Sequence, residues 1–328
     1  MSERSKIEWT DATWNPVRAR DPKTGRVGWH CEKISPACTH CYAAEMNTKA
    51  WAGFGTKLPY AESSRAEAFL HDITLSKPLQ WQRPRRIFVC SMTDLFGHWV
   101  TVEMLDLIYS VMAACPQHTF QILTKRPDRM HRYHLNLAKR VAQIADNPVR
   151  FPLANLWAGV TVESDEYLPR LEELLQTPAA VRFVSVEPLL APLDLGLRNW
   201  ATLGRDDCRL DWVIVGGESG RQRTVRPTHP DWVRLIRDDC QAAGVPFFFK
   251  QWGEWLPADG GGKILSLESR RINDAGQDIT SVPELWCGDE KMTDAYVYRV
   301  GKKKAGRMLD GVQWNEFPTA PEAAPCST

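Results

Sequence analysis

Cys31, Cys38 and Cys41 fall within eleven residues, spaced C-x6-C-x2-C, and Tyr42 follows the last of them. A fourth cysteine close by is missing. Three thiolates can hold three irons of a 4Fe–4S cluster and leave the fourth iron open to a small ligand. An open coordination position is what a catalytic metal centre needs and a structural one avoids.

A second set of polar residues recurs with a different regularity, each just past a short apolar run. Ser91, Thr93 and Asp94 follow RIFVC (86–90), and Thr124, Lys125 and Arg126 follow TFQIL (119–123). Thr161 lies inside LWAGVTV (156–162), with Glu163 just beyond it. Glu187 follows RFVSV (182–186), Glu218 follows WVIV (212–215) through two glycines, and Lys250 and Gln251 follow PFFF (246–249). In a parallel (β/α) architecture, chemistry sits at the C-terminal ends of the strands. Any one of these residues would serve as well to cap a helix or satisfy a turn. Six strands in succession ending this way favour a functional rim. Gly216 and Gly217 allow backbone amides to approach a ligand closely, but the segment matches neither a dinucleotide fingerprint nor a phosphate loop.

The elements that must position these residues alternate along the chain. Between the apolar runs lie stretches of helical period. Val102–Ala114 places Leu105, Ile108 and Met112 on one face, and Asp128–Ile144, Asp165–Leu175 and His229–Ala243 behave alike. Asp128 and Asp165 are expected as N-caps. With an earlier strand near Trp9–Val17, six or seven βα units result. The expected fold class is α/β, an open or partial (β/α) barrel. Residues 1–255 are expected to form it, with the cysteine loop at 31–41. Residues 256–317 read as a C-terminal cap or lid with Gly-rich turns at Asp259–Gly262 and a basic loop at 302–307, and 318–328 as a flexible tail. Leu189–Arg209 reads as a long connection without a period.

A chain of 328 residues that is 43% hydrophobic can bury a sizeable core. Its 41 basic and 40 acidic residues leave a net charge of +1, which argues against a purely electrostatic binder while permitting a locally basic groove. No apolar run approaches the ~20 residues that span a bilayer, and the polar start MSERSKIEWTD is unlike a signal peptide. A cytoplasmic protein without a membrane partner is expected. Its nine cysteines then read as thiols or metal ligands rather than disulfides, with Cys90 and Cys115 as packing residues.

Asn15-Pro16, Cys38-Thr-His-Cys41-Tyr42-Ala43, Thr93-Asp94, Leu123-Thr124-Lys125 and Trp212-Val-Ile-Val-Gly-Gly-Glu-Ser-Gly220 together resemble a phage- and prophage-associated three-Cys-motif family of the radical S-adenosylmethionine superfamily. More distantly, they are similar to spore photoproduct lyase-like enzymes. The resemblance covers Ile7–Trp255, with further signal in Lys302–Asp310. It implies a 4Fe–4S cluster on Cys31, Cys38 and Cys41, with S-adenosylmethionine chelating the fourth iron. It implies His40 beside the adenine, Tyr42 in the cofactor site, Ser91, Thr93 and Asp94 on the amino group, Lys125 on the carboxylate, and Thr161 and Glu163 near the ribose. Glu187, Glu218 and Gln251 would face the substrate. The implied reaction is reductive cleavage to a 5′-deoxyadenosyl radical that abstracts hydrogen, from a nucleotide or a DNA or RNA base in modification or repair. A flavodoxin- or ferredoxin-type electron donor, a genetically linked partner and a bacterial host cytoplasm are implied with it. The superfamily's usual spacing is C-x3-C-x2-C, so the longer first interval here must loop out.

Two other readings use the same residues. Cys31, Cys38 and Cys41 with His30 or His40 could make a structural zinc site in a non-catalytic nucleic-acid- or partner-binding protein, although the second ligand pair of a zinc module is missing. Cys41 could instead be a nucleophile with His40 or a distant His as its base, although adjacent loop residues rarely point at each other.

Overall fold

The computed structural model describes residues 4–49, 54–142, 151–197, 209–220, 223–258, 268–278, 280 and 294–319. The chain opens with β1 (Ala12–Trp14), β2 (Val17–Arg20), β3 (Val27–Gly28), α1 (Tyr42–Lys49), β4 (Glu67–Leu70) and α2 (Asp72–Leu75). A βα alternation follows: β5 (Arg86–Val89), α3 (Val102–Ala113), β6 (Thr119–Thr124), α4 (Pro127–Ala142), β7 (Leu156–Thr161), α5 (Pro169–Leu175), β8 (Val181–Val186), β9 (Trp212–Gly216), α6 (Pro230–Ala243) and β10 (Phe247–Gln251). The last elements are β11 (Trp255–Pro257), β12 (Ser269–Ile272), β13 (Ala295–Arg299) and α7 (Lys302–Ala305).

The main sheet has seven strands in the order β1-β5-β6-β7-β8-β9-β10. Its registers are parallel from β1 through β7 and between β9 and β10. Strands laid side by side in chain order, with helices such as α3, α4, α5 and α6 between successive ones, are the topology of a partial (β/α) barrel, so the α/β expectation holds. Two small antiparallel sheets accompany it, β3-β2-β4 and β11-β13-β12.

The chain packs as two compact units. One comprises the chain up to Thr161, Pro169–Val184 and the residues from Pro318 on; the other comprises Val162–Leu168 and Ser185–Phe317. In the first, all six residues of β7 are buried, as a parallel strand covered on both faces requires. Helix α3 turns Leu105, Ile108, Tyr109 and Met112 inward, and Thr101 caps it by accepting from the Met104 amide at 3.3 Å. Trp9 packs at 4.7 Å from Phe88 and 6.3 Å from Phe183. Gly159 admits that last ring: a Cβ there would stand 2.4 Å from Phe183. In the second unit, α6 buries Trp232, Val233, Ile236 and Cys240 and ends at Gly244, whose φ of 66° suits a residue without a Cβ. Val225, Trp255, Ile272, Ala295 and Val297 form a separate apolar cluster.

Several boundaries differ from expectation for identifiable reasons. Helix α4 starts at Pro127, which puts Asp128 in the first turn rather than at the cap. Asp165 opens a short 3-10 turn, and α5 begins afresh at Pro169, which has no N–H to continue that turn. Pro16 likewise splits the strand expected over Trp9–Val17: β1 pairs with β5 and β2 pairs with β4. The basic loop is a short helix over Lys302–Ala305 that leaves Lys302, Lys303 and Lys304 exposed. Arg307 is used in packing, donating to the Phe249 carbonyl at 3.2 Å and lying 4.8 Å over Phe248. Cys90 and Cys115 are buried as expected. Asp259–Gly262, most of Leu189–Arg209 and of 318–328, and Cys208, Cys287 and Cys326 lie outside the described residues. No helix among the described residues is long and apolar enough to cross a membrane.

Gly159→Ala is expected to cost about 1–3 kcal/mol by overpacking against Phe183, read as a lower urea midpoint with an unchanged slope.

Candidate functional site

The cysteine loop belongs to the first unit and is fastened to the end of β5. Asn15, just past β1, accepts from the Met92 amide at 3.0 Å and donates to the Ser91 hydroxyl at 3.1 Å. The Tyr42 hydroxyl donates to the Ser91 carbonyl at 2.6 Å, and the Tyr60 hydroxyl to the Met92 carbonyl at 2.6 Å. The Thr93 hydroxyl donates to the carbonyl of His30, the residue before the first cysteine. Trp29, Ala43, Tyr60 and Met92 make an apolar cluster against which Cys31 and Cys41 both pack.

Asp94 forms the second fastening. One carboxylate oxygen accepts from the Phe96 amide at 2.9 Å and the Thr124 hydroxyl at 2.6 Å. The other accepts from the Lys125 amide and from Arg126, both at 3.1 Å. Arg126 also reaches Glu32, beside Cys31, at 3.0 Å and lies 4.9 Å over Trp99. His98 stands 3.5 Å from Glu32, and the His30 ring meets Trp99 edge-on at 4.7 Å. A chain of contacts thus runs from the end of β6 through Asp94 and Arg126 into the cysteine loop.

The three thiols are half-buried. Burial pushes the Cys31 thiol up to about 12, with the charges of Asp94 and Cys41 acting the same way and Arg126 opposing. Burial also raises Cys41, against the Ala44 and Ala43 amides and Lys125, with Cys38 adding to the rise. Cys41 therefore acts on Cys31 and Cys38 on Cys41, and burial keeps the Cys31 and Cys41 thiols protonated unless a cation takes the proton's place. Among the described residues, no three His, Cys, Asp or Glu side chains converge where one ion could be held. In a 4Fe–4S cluster each thiolate would hold its own iron, and the donors that this loop offers are three soft thiols, two of which, Cys31 and Cys41, pack against one apolar cluster.

The remaining expected residues divide by unit. Cys31, Cys38, Cys41, Tyr42, Ser91, Thr93, Asp94 and Lys125 share the region just described. His40 is half-buried in the loop between two of the cysteines. Thr161 is buried at the end of β7, and its carbonyl accepts from Arg170 at 2.9 Å. Glu163, Glu187, Glu218 and Gln251 belong to the second unit. There Glu163 is fully buried, and its carbonyl accepts from the Leu190 amide at 3.0 Å. Glu218 is held by the Arg226 amide at 2.7 Å and by that residue's guanidinium. Gln251 donates to the Gly217 carbonyl at 2.8 Å and accepts from the Gly253 amide. Both are committed to shaping the loops around them. Glu187 instead pairs with Lys250 at 3.0 Å, and the two side chains stay 13% and 19% exposed. Sequence reasoning missed the roles of Arg126, Glu32, Trp99 and Tyr60. Arg126 carried a signal as the neighbour of Lys125, whereas the two aromatics carried none among so many.

The family model described as "Protein of unknown function (DUF5131)" matches residues 4–318. The chain belongs to that family. No curated protein matches it. Two solved structures of spore photoproduct lyase, one of a point mutant and one complexed with dinucleoside spore photoproduct, are similar to it at 12% identity and a TM-score of 0.33. The likeness covers 80% of this chain, which spans 65% of the length of each of theirs.

Asp94→Ala leaves Arg126 without the buried one of its two carboxylate partners and is expected to cost about 3–5 kcal/mol, measured by chemical denaturation. Asp94→Asn, which keeps the shape, should lose less.

Proposed function

We propose that this protein is a radical S-adenosylmethionine enzyme in which Cys31, Cys38 and Cys41 hold three irons of a 4Fe–4S cluster. The observation that carries this reading is a loop of three thiols fastened to the C-terminal ends of β5 and β6, the side of a parallel sheet where chemistry resides. When bound, the cluster supplies the electron that cleaves a carbon–sulfur bond of S-adenosylmethionine. The chain's own part is to bind and orient. Lys125, half-buried near Cys41, offers an ammonium to the cosubstrate's carboxylate. Ser91 and the half-exposed Tyr42 ring line the same strand end. Thr93 and Asp94 act as positioning residues, because their side chains hold His30, Phe96, Thr124, Lys125 and Arg126.

To a polar group of the substrate we assign Glu187 and Lys250 of the second unit, paired at 3.0 Å between Lys250 Nζ and Glu187 Oε1. The substrate class we assign is a nucleotide or a nucleic-acid base. The exposed Lys302, Lys303 and Lys304 support it, since an ammonium cluster suits phosphate oxygens.

The deciding experiment is anaerobic reconstitution with iron and sulfide. EPR of the reduced protein is recorded with and without S-adenosylmethionine, together with an assay for 5′-deoxyadenosine. A 4Fe–4S signal that shifts on adding the cosubstrate, and that the Cys31→Ala, Cys38→Ala and Cys41→Ala variants each lose, is expected. Stoichiometric zinc, or a well-folded protein that never holds iron, would end the reading. Replacing Lys302, Lys303 and Lys304 with Ala should flatten the salt dependence of single-stranded nucleic-acid binding, by up to ~0.7 in log–log slope for each phosphate that a lysine had neutralised.

A further inference from the structure

Arg18, in β2, carries a charge that nothing described in the first unit balances. It is only 8% exposed. Its Nε and Nη1 are closed off from water without a hydrogen-bond partner, and no carboxylate pairs with it among the described residues. The nearby acids are committed elsewhere: Asp21 takes Arg65 at 2.7 and 2.8 Å, and Asp94 takes Arg126. Cys90 lies close enough to act on Arg18, but burial pushes that thiol up to about 12, so it stays neutral. The contact Arg18 does make is with the Trp29 ring, 4.6 Å from the guanidinium carbon. The indole N–H of Trp29 is itself buried without an acceptor. Stacking on an aromatic face recovers only part of what a guanidinium loses on leaving water, and it does nothing for the indole donor.

Two adjoining buried donors with no acceptor between them describe one kind of occupant. We propose that Arg18 and the Trp29 indole N–H form an oxyanion-binding site that takes a carboxylate or phosphate group of a small ligand. Its place supports a ligand role. β2 begins two residues past Asn15, at the C-terminal end of β1, and Trp29 leads through His30 into Cys31. This site does not depend on the cysteines holding iron.

Thermal melts of the full chain at constant ionic strength test it, with inorganic phosphate, AMP and L-methionine as probes and potassium chloride as the control. Wild type is expected to rise saturably by about 3 °C or more with at least one probe. A response to methionine alone marks a carboxylate source, and a response to phosphate or AMP marks a phosphate source. Arg18→Met should show no such rise. Without any probe it should melt at or above wild type, because an unbalanced buried charge has gone. Trp29→Phe keeps the stack and loses the N–H, and should weaken binding about 2- to 10-fold. If no probe shifts wild type, or Arg18→Met responds as wild type does, the site does not exist. Should Arg18→Met fail to fold, an unweakened response in Trp29→Phe overturns the proposal in its place.

Discussion

The Asp94 carboxylate is the constraint on which the candidate centre depends. It accepts four hydrogen bonds from three directions: its own turn, the end of β6 and the Arg126 guanidinium. A carboxylate so fully satisfied cannot rotate without stranding several donors, and in a buried place that is costly. Arg126 then carries the constraint outward to Glu32, beside the first cysteine. The loop is thereby anchored from its charged side, while Tyr42 and Tyr60 anchor it by hydroxyl bonds to the chain after β5. Fixing a long loop at several points offsets the entropy that the extra residues between Cys31 and Cys38 would otherwise add.

The second unit solves a similar problem by omission of side chains. A Cβ on Gly216 would fall 2.5 Å from Glu187 Oε1, and one on Gly217 would fall 2.1 Å from the Trp252 carbonyl. Gly253, at φ 82°, brings its backbone against the Glu218 carbonyl. The glycines let Glu187 lie across the end of β9 toward Lys250 and let Gln251 bridge two loops. Glu218 and Gln251 hold the frame, while Glu187 and Lys250 keep part of their side-chain surface exposed.

Much of the fold was legible because parallel strands covered on both faces read as apolar runs, and β5 through β10 fall where those runs fall. Polar positions after each run were legible for the same reason. Proline set most of the boundary differences: Pro16, Pro127 and Pro169 each move the start of an element, through a missing N–H that hydrophobic periodicity does not register. The cysteines could be read from spacing. Their anchors could not, because Arg126 to Glu32 and Thr93 to His30 join residues about ninety and sixty positions apart, and no local pattern encodes such pairs. For Glu218 and Gln251 sequence gives the residue type and the strand end, but not the bonds to Arg226 and to Gly217 and Gly253.

The division into two units has a consequence for how the protein is made. The first unit is not a continuous stretch: the chain leaves it after Thr161 and returns for Pro169–Val184. Strand β8 begins in that returning piece. At synthesis speeds of roughly 5–20 residues per second, Cys41 emerges on the order of ten seconds before Val184. The groups that fasten the thiols come sooner, Asp94 and Arg126 following Cys41 by 53 and 85 residues, so for several seconds the thiols stand open to oxidants before those partners exist. Keeping the thiols intact while the chain is still growing therefore calls for reducing surroundings.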